Sequence, residues 1–256
     1  MTMVRTTDEV MAAAHSRIYA FLACAFADPD GTTLARLRQA APVAAEALAI
    51  IGGTESRAAL AAYCDAIEPL GDDDLAGSHH LVFGHGISGD CPPYEGEYGQ
   101  PHIFQKTQAL ADNAGFFEAF GLAPATGFAD RLDHIAVELE FLHVLAVKEA
   151  YALGRGHGAE QIAIVRDATR KYLNEHLGRW APAFAARMEA KAHDSPYGAL
   201  ARLLAAFVAD EKRAWDIAPV PTDLLPVAPQ DDDGPTDCDG CATAAAGFAT
   251  ALRGEP

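Results

Sequence analysis

Two pairs of side chains in this sequence have the spacing of metal or redox sites. Glu140 and His143 lie three residues apart, the spacing with which helical di-iron proteins place a carboxylate and an imidazole on one metal. Cys238 and Cys241 form a Cys-x-x-Cys pair, which suits half of a tetrahedral zinc site or a redox dithiol. The residues therefore raise two hypotheses, a helical metal-binding protein of di-iron type and a Cys-x-x-Cys redox protein.

Both of these sites are incomplete. A di-iron site needs a second Glu-x-x-His pair, and the sequence has none. One Cys-x-x-Cys pair cannot close a zinc shell, and no strand-helix-strand pattern of the thioredoxin type surrounds it. Phosphate-loop, dinucleotide and Gly-x-Ser-x-Gly motifs are also missing from the sequence. We therefore predict a protein that is not an enzyme and uses no cofactor, in which His143 is structural and Cys238 and Cys241 are an incidental thiol pair.

The charge of the chain is strongly negative and unevenly distributed. There are 19 Lys and Arg against 36 Asp and Glu, a formal net charge of −17. Residues 58–105 contain eight acids and no Lys or Arg, and residues 214–252 contain seven acids and no Lys or Arg. Such a field repels a nucleic-acid backbone, so we predict no nucleic-acid partner. Two interpretations of the acids stay open, solubility and a surface that attracts an arginine-bearing peptide.

Half of the residues are apolar, and Leu, Ala, Glu and Arg recur at helical spacing, which predicts an all-α fold without a sheet. Thr6 to Asp8 and the Ser195-Pro196 pair are typical starts of helices. The predicted helical segments are residues 8–27, 32–40, 43–51, 55–68, 103–120, 129–153, 159–177, 180–192 and 197–215.

Two regions break the helical pattern. Residues 71–101 are rich in Gly, Pro and Tyr, which predicts a long central loop. After Trp215 the chain turns to Pro and Asp, which is typical of a flexible acidic tail. We therefore predict one helical domain over residues 1–215 and a tail over residues 216–256. Because no run of about 20 apolar residues occurs and the five cysteines are scattered, we expect no membrane span and a cytoplasmic location.

The segment Phe128–Leu142 is the most distinctive part of the chain. It opens with the pair Asp133-His134, and an acid suits the positive end of a helix. Apolar residues follow on several sides, which indicates a central, buried helix. His134 and Glu138 stand four residues apart, a spacing at which their side chains can pair.

Four short elements occur in a fixed order around this segment. They are Tyr19–Phe26 with Asp28-Pro29, Leu81–Gly84 with Pro93–Tyr98, Asp133–Leu142, and His176–Phe184 with Ser195–Tyr197. In this order they resemble the motifs of the TorD/DmsD/NarJ family of redox-enzyme maturation chaperones. The sequence departs from that family's pattern at Leu132, where the family usually has proline, and at His79 and His80, where relatives carry an acid.

The resemblance implies a single-domain helical bundle that acts as a system-specific cytoplasmic chaperone. Such a protein binds the apo catalytic subunit of a molybdenum oxidoreductase, often through its twin-arginine leader, and assists molybdopterin cofactor insertion before export. Molybdopterin cofactor biosynthesis proteins are a further class of partner. The Pro-Pro-Tyr-Glu-x-Glu-Tyr loop after Cys91 is most similar to chaperones of type II members of the dimethyl-sulfoxide-reductase family, whose substrates include selenate and chlorate.

A twin-arginine leader offers arginine charges and an apolar helix, so its groove needs carboxylates beside aromatic side chains. The resemblance places Asp133 and His134 in that groove. For Tyr19 and Phe83, packing in the core is an equal alternative. The candidate client-binding residues are Asp133, His134, Glu138, Tyr94, Glu95, Glu97, Tyr98, Phe83 and Tyr19.

Overall fold

The computed structural model describes residues 6–84, 90–99, 105–124 and 130–219. These residues form nine α-helices and one short 3-10 helix at Glu95–Glu97. The described residues contain no β-strand. Their only β-type pairing is an isolated antiparallel bridge between Tyr94 and His134. The helices are α1 Thr7–Phe26, α2 Thr33–Ile51, α3 Thr54–Ile67, α4 Asp72–Phe83, α5 Gln105–Ala119, α6 Ile135–Gly154, α7 Ala159–Glu175, α8 Leu177–Ala192 and α9 Pro196–Ala214.

The all-α prediction is confirmed, and the predicted central helix is α6. Helix α1 packs along α6 and α2, while α9 packs against α3 and α8. Helix α6 buries Leu139, Phe141, Leu142 and Leu145. Because its apolar residues occupy more than one face, it can hold neighbours on several sides. None of the helices in the described ranges is long and apolar enough to cross a bilayer.

Both predicted helix starts are confirmed. The hydroxyl of Thr6 accepts a hydrogen bond of 3.2 Å from the backbone N–H of Glu9, which satisfies one of the free donors at the start of α1. Pro196 is the first residue of α9, where its missing N–H costs nothing.

Helix α2 runs without a break through Pro42, although the sequence predicted two separate helices there. Proline removes one backbone hydrogen bond and usually bends or ends a helix. The buried side chains on either side of it, Leu37 and Ala44 among them, nevertheless belong to one hydrophobic core. Packing against that core therefore outweighs the local cost.

The predicted long loop over residues 71–101 is wrong in its first part, where α4 lies. The acids Asp72, Asp73 and Asp74 occupy the first turn of this helix, where they complement its dipole. The carboxylate of Asp74 also accepts a 2.9 Å hydrogen bond from the N–H of Gly71. The high glycine content of the region concealed this start signal.

The helical body continues slightly beyond Trp215. The backbone N–H of Ile217 donates to the carbonyl of Lys212 at 2.8 Å, and Ile217 is only 9% exposed. The predicted tail from residue 220 onward, with Cys238 and Cys241, lies outside the described residues.

Candidate functional site

Two turns that are distant in sequence are held together at the start of α6. The N–H of Ile135 donates to the carbonyl of Pro93 at 2.9 Å, and the N–H of Glu95 donates to the carbonyl of Asp133 at 2.9 Å. These bonds flank the Tyr94–His134 bridge. We call the segments 93–98 and 130–135 the paired turns. The paired turns bring together two of the four elements that resemble the family's motifs, Pro93–Tyr98 and the start of Asp133–Leu142.

An arginine that the sequence analysis missed organises the paired turns. Arg131 donates from Nε to Oδ1 of Asp133 at 2.9 Å and from Nη2 to Oδ2 at 2.7 Å. Its Nη1 donates to Oε1 of Glu97 at 2.7 Å. Burial opposes the charge of Arg131, but the hydrogen bonds to Asp133 and Glu97 raise its pKa. This fork geometry fixes both carboxylates in place.

Asp133 is fully buried beneath this arginine. Its Oδ2 also accepts a 2.9 Å hydrogen bond from the N–H of Gly96. Glu97, likewise buried, shares the same guanidinium. Both oxygens of Asp133 therefore face partners inside the protein, and its carboxylate fixes the turn rather than facing solvent. A direct client contact through Asp133 remains a prediction, and the structure favours a positioning role for it.

His134 caps the start of α6. Its Nδ1 accepts a 3.1 Å hydrogen bond from the N–H of Ala136, so the proton of the neutral ring resides on Nε2. The ring packs against Tyr94 with centroids 5.1 Å apart, and Nδ1 lies 3.8 Å from a carboxylate oxygen of Asp130. Burial lowers the pKa of His134 despite the opposing charges of Asp130 and Asp133. Burial thus favours the neutral form of the side chain.

The predicted pairing of His134 with Glu138 is wrong, because each side chain has a different partner. Glu138 is fully buried, and both of its oxygens lie 3.1–3.2 Å from Nε1 of Trp180, which donates to them. Burial, reinforced by the negative charge of nearby Glu95, raises the pKa of Glu138 well above its ordinary value. Burial therefore favours the uncharged form of this carboxyl group.

Glu95 belongs to the same interior layer. Its Oε2 accepts from Nδ2 of Asn113 at 3.0 Å and lies 2.9 Å from Nδ1 of His176. The hydroxyl of Tyr172 donates to the amide oxygen of Asn113. This chain of bonds connects the 3-10 helix with α5, α7 and the start of α8. Neither Asn113 nor Tyr172 was predicted from the sequence, since no local motif marks them.

The aromatic candidates divide into one surface residue and three core residues. Tyr94 is half-buried, with the guanidinium of Arg131 4.5 Å from its ring centroid and its hydroxyl 3.1 Å from Oδ1 of Asp130. Burial and the adjacent Asp130 raise the pKa of Tyr94 to about 12. Tyr19, Phe83 and Tyr98 are at most 6% exposed. For Tyr19 and Phe83 the structure thus agrees with the core-packing alternative.

Two concave surfaces lie beside the paired turns. The larger is a cleft of about 1380 Å³ between α5 and α7, which reaches Glu95, Tyr98 and Trp180 at one end. The smaller is a groove of about 380 Å³ between the end of α1 and the start of α6. We call the latter the α1–α6 groove. Its lining residues are Ala20, Ala23, Cys24, Ala27, Asp28, Arg36, Asp130, His134, Ala136, Val137, Glu140 and His143.

The α1–α6 groove combines small apolar side chains with acids. Ala23, Ala27 and Val137 are partly accessible on its floor, and Asp28, Asp130 and Glu140 are exposed at its rim. One cation, Arg36, opposes the three acids. Such a surface can receive a helical segment that presents both an apolar face and a positive charge.

His143, of the Glu140–His143 pair, contacts Ser16 of α1. Nδ1 of His143 lies 2.9 Å from the carbonyl oxygen of Ser16 and 3.0 Å from its hydroxyl. These contacts tie α6 to α1. These contacts agree with the structural role predicted for His143.

The thiol of Cys91, next to the paired turns, is fully buried, and its Sγ lies 4.0 Å from the carbonyl of Phe184. Burial raises the pKa of this thiol to about 12. Burial therefore disfavours the thiolate that metal binding or redox chemistry requires.

A family model described as the nitrate reductase delta subunit matches residues 53–186, which include both of the paired turns. The chain belongs to this family. The nitrate reductase delta subunit family thus accounts for the region from α3 to the middle of α8, where three of the four resembling elements lie wholly or in part.

Several curated relatives are similar to parts of the chain. A selenate reductase assembly chaperone protein from Thauera selenatis is 35% identical over 104 residues, 41% of this chain and 50% of the relative. The chaperone protein TorD of Vibrio cholerae serotype O1 is 36% identical over 84 residues, 33% of this chain and 36% of the relative. A chlorate reductase assembly chaperone protein from Ideonella dechloratans is 37% identical over 75 residues, 29% of this chain and 37% of the relative. The matches therefore span half or less of the length of these relatives.

Proposed function

We propose that this protein is a cytoplasmic chaperone for the catalytic subunit of a molybdenum oxidoreductase and catalyses no reaction itself. It binds the apo subunit through an arginine-bearing leader and releases it after molybdopterin cofactor insertion. Family membership supports the chaperone role, and similarity to selenate and chlorate reductase assembly chaperones supports a type II client.

The observation that carries the binding site is the composition of the α1–α6 groove. An arginine-bearing helix needs an apolar surface for its face and carboxylates for its charges. The groove provides the exposed acids Asp130 and Glu140 on one side and the exposed Asp28 on the other, with a floor of small side chains between them. Alanine at the floor allows a helix backbone to approach closely.

In the proposed mechanism, the paired turns hold in place the residues that line one side of this groove. Arg131 holds Asp133, and the bridge between Tyr94 and His134 fixes the turn that carries Asp130. A client segment in the groove would contact Asp130, His134 and Glu140, while the buried residues keep those side chains in place. The buried candidates thus act by positioning the side chains that contact the client. They are Asp133, Glu95, Glu97, Glu138, Tyr98, Phe83 and Tyr19.

The larger cleft between α5 and α7 is a second candidate surface for binding partners of the chaperone. It carries basic groups at Arg170, Lys171 and Arg179 and acids at Asp112 and Asp167. We place contacts with the mature part of the client, or with proteins that deliver the molybdopterin cofactor, at this cleft.

Fluorescence anisotropy with a synthetic peptide tests the groove. The peptide carries two adjacent arginines before an apolar helical segment, and a second peptide has glutamine in place of both arginines. The double variant Asp130→Asn, Glu140→Gln should bind the arginine peptide between about threefold and tenfold more weakly, since exposed charge pairs contribute ~0–1 kcal/mol each. The matched control is Asp72→Asn, Asp73→Asn, which changes two exposed acids outside the groove.

Salt should weaken the parent complex, because exposed charges are screened over ~8–10 Å at physiological ionic strength. Equal affinity for both peptides, or an equal loss in the control variant, would rule out the groove as the arginine site. Co-purification from the native host, with mass spectrometry of the bound subunit, tests the chaperone role independently. Recovery of no molybdoenzyme subunit would count against that role.

A further inference from the structure

Two histidines and an aspartate meet where the end of α1 approaches the end of α4. Asp28 follows α1, and His79 and His80 lie near the C-terminal end of α4. One ring nitrogen from each histidine and one carboxylate oxygen of Asp28 all lie within 4.8 Å of one another. Across the described ranges, no other three side chains of metal-binding type meet this criterion.

We propose that Asp28, His79 and His80 form a binding site for a divalent transition metal of the Zn²⁺ type. Nδ1 of His79 lies 3.6 Å from Oδ1 of Asp28. Two ligands of a tetrahedral zinc ion, each bonded at about 2.0–2.2 Å, stand roughly 3.3–3.6 Å apart. This edge of the site is therefore already formed, and the remaining edges, which are at most 4.8 Å long, would shorten on metal binding.

The nitrogen of His79 is the strongest indication of a ligand. Nδ1 is shielded from solvent and has no hydrogen-bond partner among the described residues. The imidazole is held in place by Phe83 and Tyr197, with ring centroids 4.8 Å and 5.7 Å away. Buried polar atoms are rarely left without a partner, so an unpaired nitrogen directed at a carboxylate calls for an explanation. A bound metal would supply the missing partner.

The donor set determines the chemical class of the metal. Two imidazoles and one carboxylate suit zinc, cobalt, nickel or copper, whereas magnesium and calcium prefer oxygen ligands alone. Three protein ligands leave a fourth position for water or for an incoming group. Asp28 is 83% exposed, so this position is reachable from solvent.

The site adjoins the α1–α6 groove, since Asp28 also lines it. A bound cation would remove one of the groove's three negative charges and would link the end of α1 to α4. The proposal does not depend on the chaperone role, because metal binding is measured on this protein alone.

The test is a calorimetric titration of the full chain with ZnCl₂. Cys238→Ser and Cys241→Ser are introduced throughout, so that the Cys-x-x-Cys pair does not compete. In this background we expect one zinc ion per chain. Asp28→Asn and His80→Gln should each weaken binding at least about tenfold, as the loss of a ligand exceeds the effect of outer-shell changes. His193→Gln is the matched control, because His193 is an exposed histidine beside an acid, Asp194, and is not one of the proposed ligands.

A second measurement, the melting temperature with and without Zn²⁺, separates a loss of metal binding from a loss of stability. Zn²⁺ should raise the melting temperature of the parent and of His193→Gln but not of Asp28→Asn or His80→Gln. Cobalt substitution should give a tetrahedral visible spectrum that His79→Gln abolishes while its circular dichroism stays helical. Absence of stoichiometric zinc, or equal binding by the parent and both ligand variants, would overturn the proposal.

Discussion

Arg131 and Asp133 are joined by two parallel hydrogen bonds across a single turn, at 2.9 Å and 2.7 Å. The guanidinium lies 21% exposed at the surface, while the carboxylate has no exposed area. The pair thus closes the turn from outside and shields the carboxylate from water. Arg131 also donates to Glu97, and Gly96 donates to Asp133, so the pair connects the two segments of the paired turns.

We predict that Asp133→Asn lowers the free energy of unfolding by about 1–3 kcal/mol, the range for a charged hydrogen bond whose partner is left incompletely paired. The amide can still accept from Gly96 but cannot receive both bonds of the guanidinium. Urea denaturation measures the loss. Asp72→Asn, in the exposed first turn of α4, should cost no more than about 1 kcal/mol. Equal losses of unfolding free energy in the two variants would show that the Arg131–Asp133 pair stabilises the fold no more than an exposed acid does.

How far the sequence predicted this site depends on the range of the interactions. Asp133 and His134 were identified because their motif is local, and the start of a helix has a recognisable signature. The contacts that join this turn to residues 93–98 were not, since Gly96, which donates to Asp133, and Glu97, which accepts from Arg131, lie more than 30 residues away and only the fold brings them close. Arg131 was not predicted as part of the site, because a lone arginine in a turn usually faces solvent.

The errors in the fold have equally specific causes. Helix α4 was assigned to a loop because the glycines that follow it, from Gly84 onward, dominated the local composition. The Glu138 error arose from applying the four-residue pairing rule to a buried position. In the interior, the choice of partner is set by packing, and Trp180 occupies the place next to the carboxyl group.

Glu138 should give stability a distinct dependence on pH. The folded-state pKa is raised above that of the unfolded chain, because burial beside Glu95 disfavours the charged form. Between the two pKa values the folded state therefore holds more protons than the unfolded state, and stability falls as pH rises above about 4.5. Glu138→Gln removes this titration and keeps an oxygen for Trp180.

We accordingly expect the free energy of unfolding of the parent to decline more steeply with rising pH than that of Glu138→Gln, by up to about 1.4 kcal/mol per pH unit. Denaturant titrations from pH 5 to pH 8 measure both slopes, with the variant serving as the control for every other titrating group. Parallel slopes would mean that Glu138 is charged in the folded protein.

His143 offers a test of the di-iron hypothesis. Because its Nδ1 faces Ser16 rather than a metal, His143→Ala should lower stability by about 0.5–1.5 kcal/mol, the worth of one hydrogen bond. Iron content, measured by elemental analysis of protein purified from iron-supplemented cells, should be the same for parent and variant. Two iron atoms per chain in the parent, lost in the variant, would revive the metal-protein hypothesis.

The shape of the α1–α6 groove can be tested separately from its charge. Ala23 lies partly accessible on the floor of the groove, near the C-terminal end of α1. A phenylalanine there should fill part of the ~380 Å³ volume and exclude an apolar helix, while its partial exposure keeps the cost to the fold small. We expect Ala23→Phe to abolish binding of the arginine peptide in the anisotropy assay. The matched variant Ala61→Phe, at an exposed position of α3, should bind normally. If Ala23→Phe keeps parental affinity and a parental melting temperature, the peptide does not occupy this groove, and the α5–α7 cleft becomes the surface to examine.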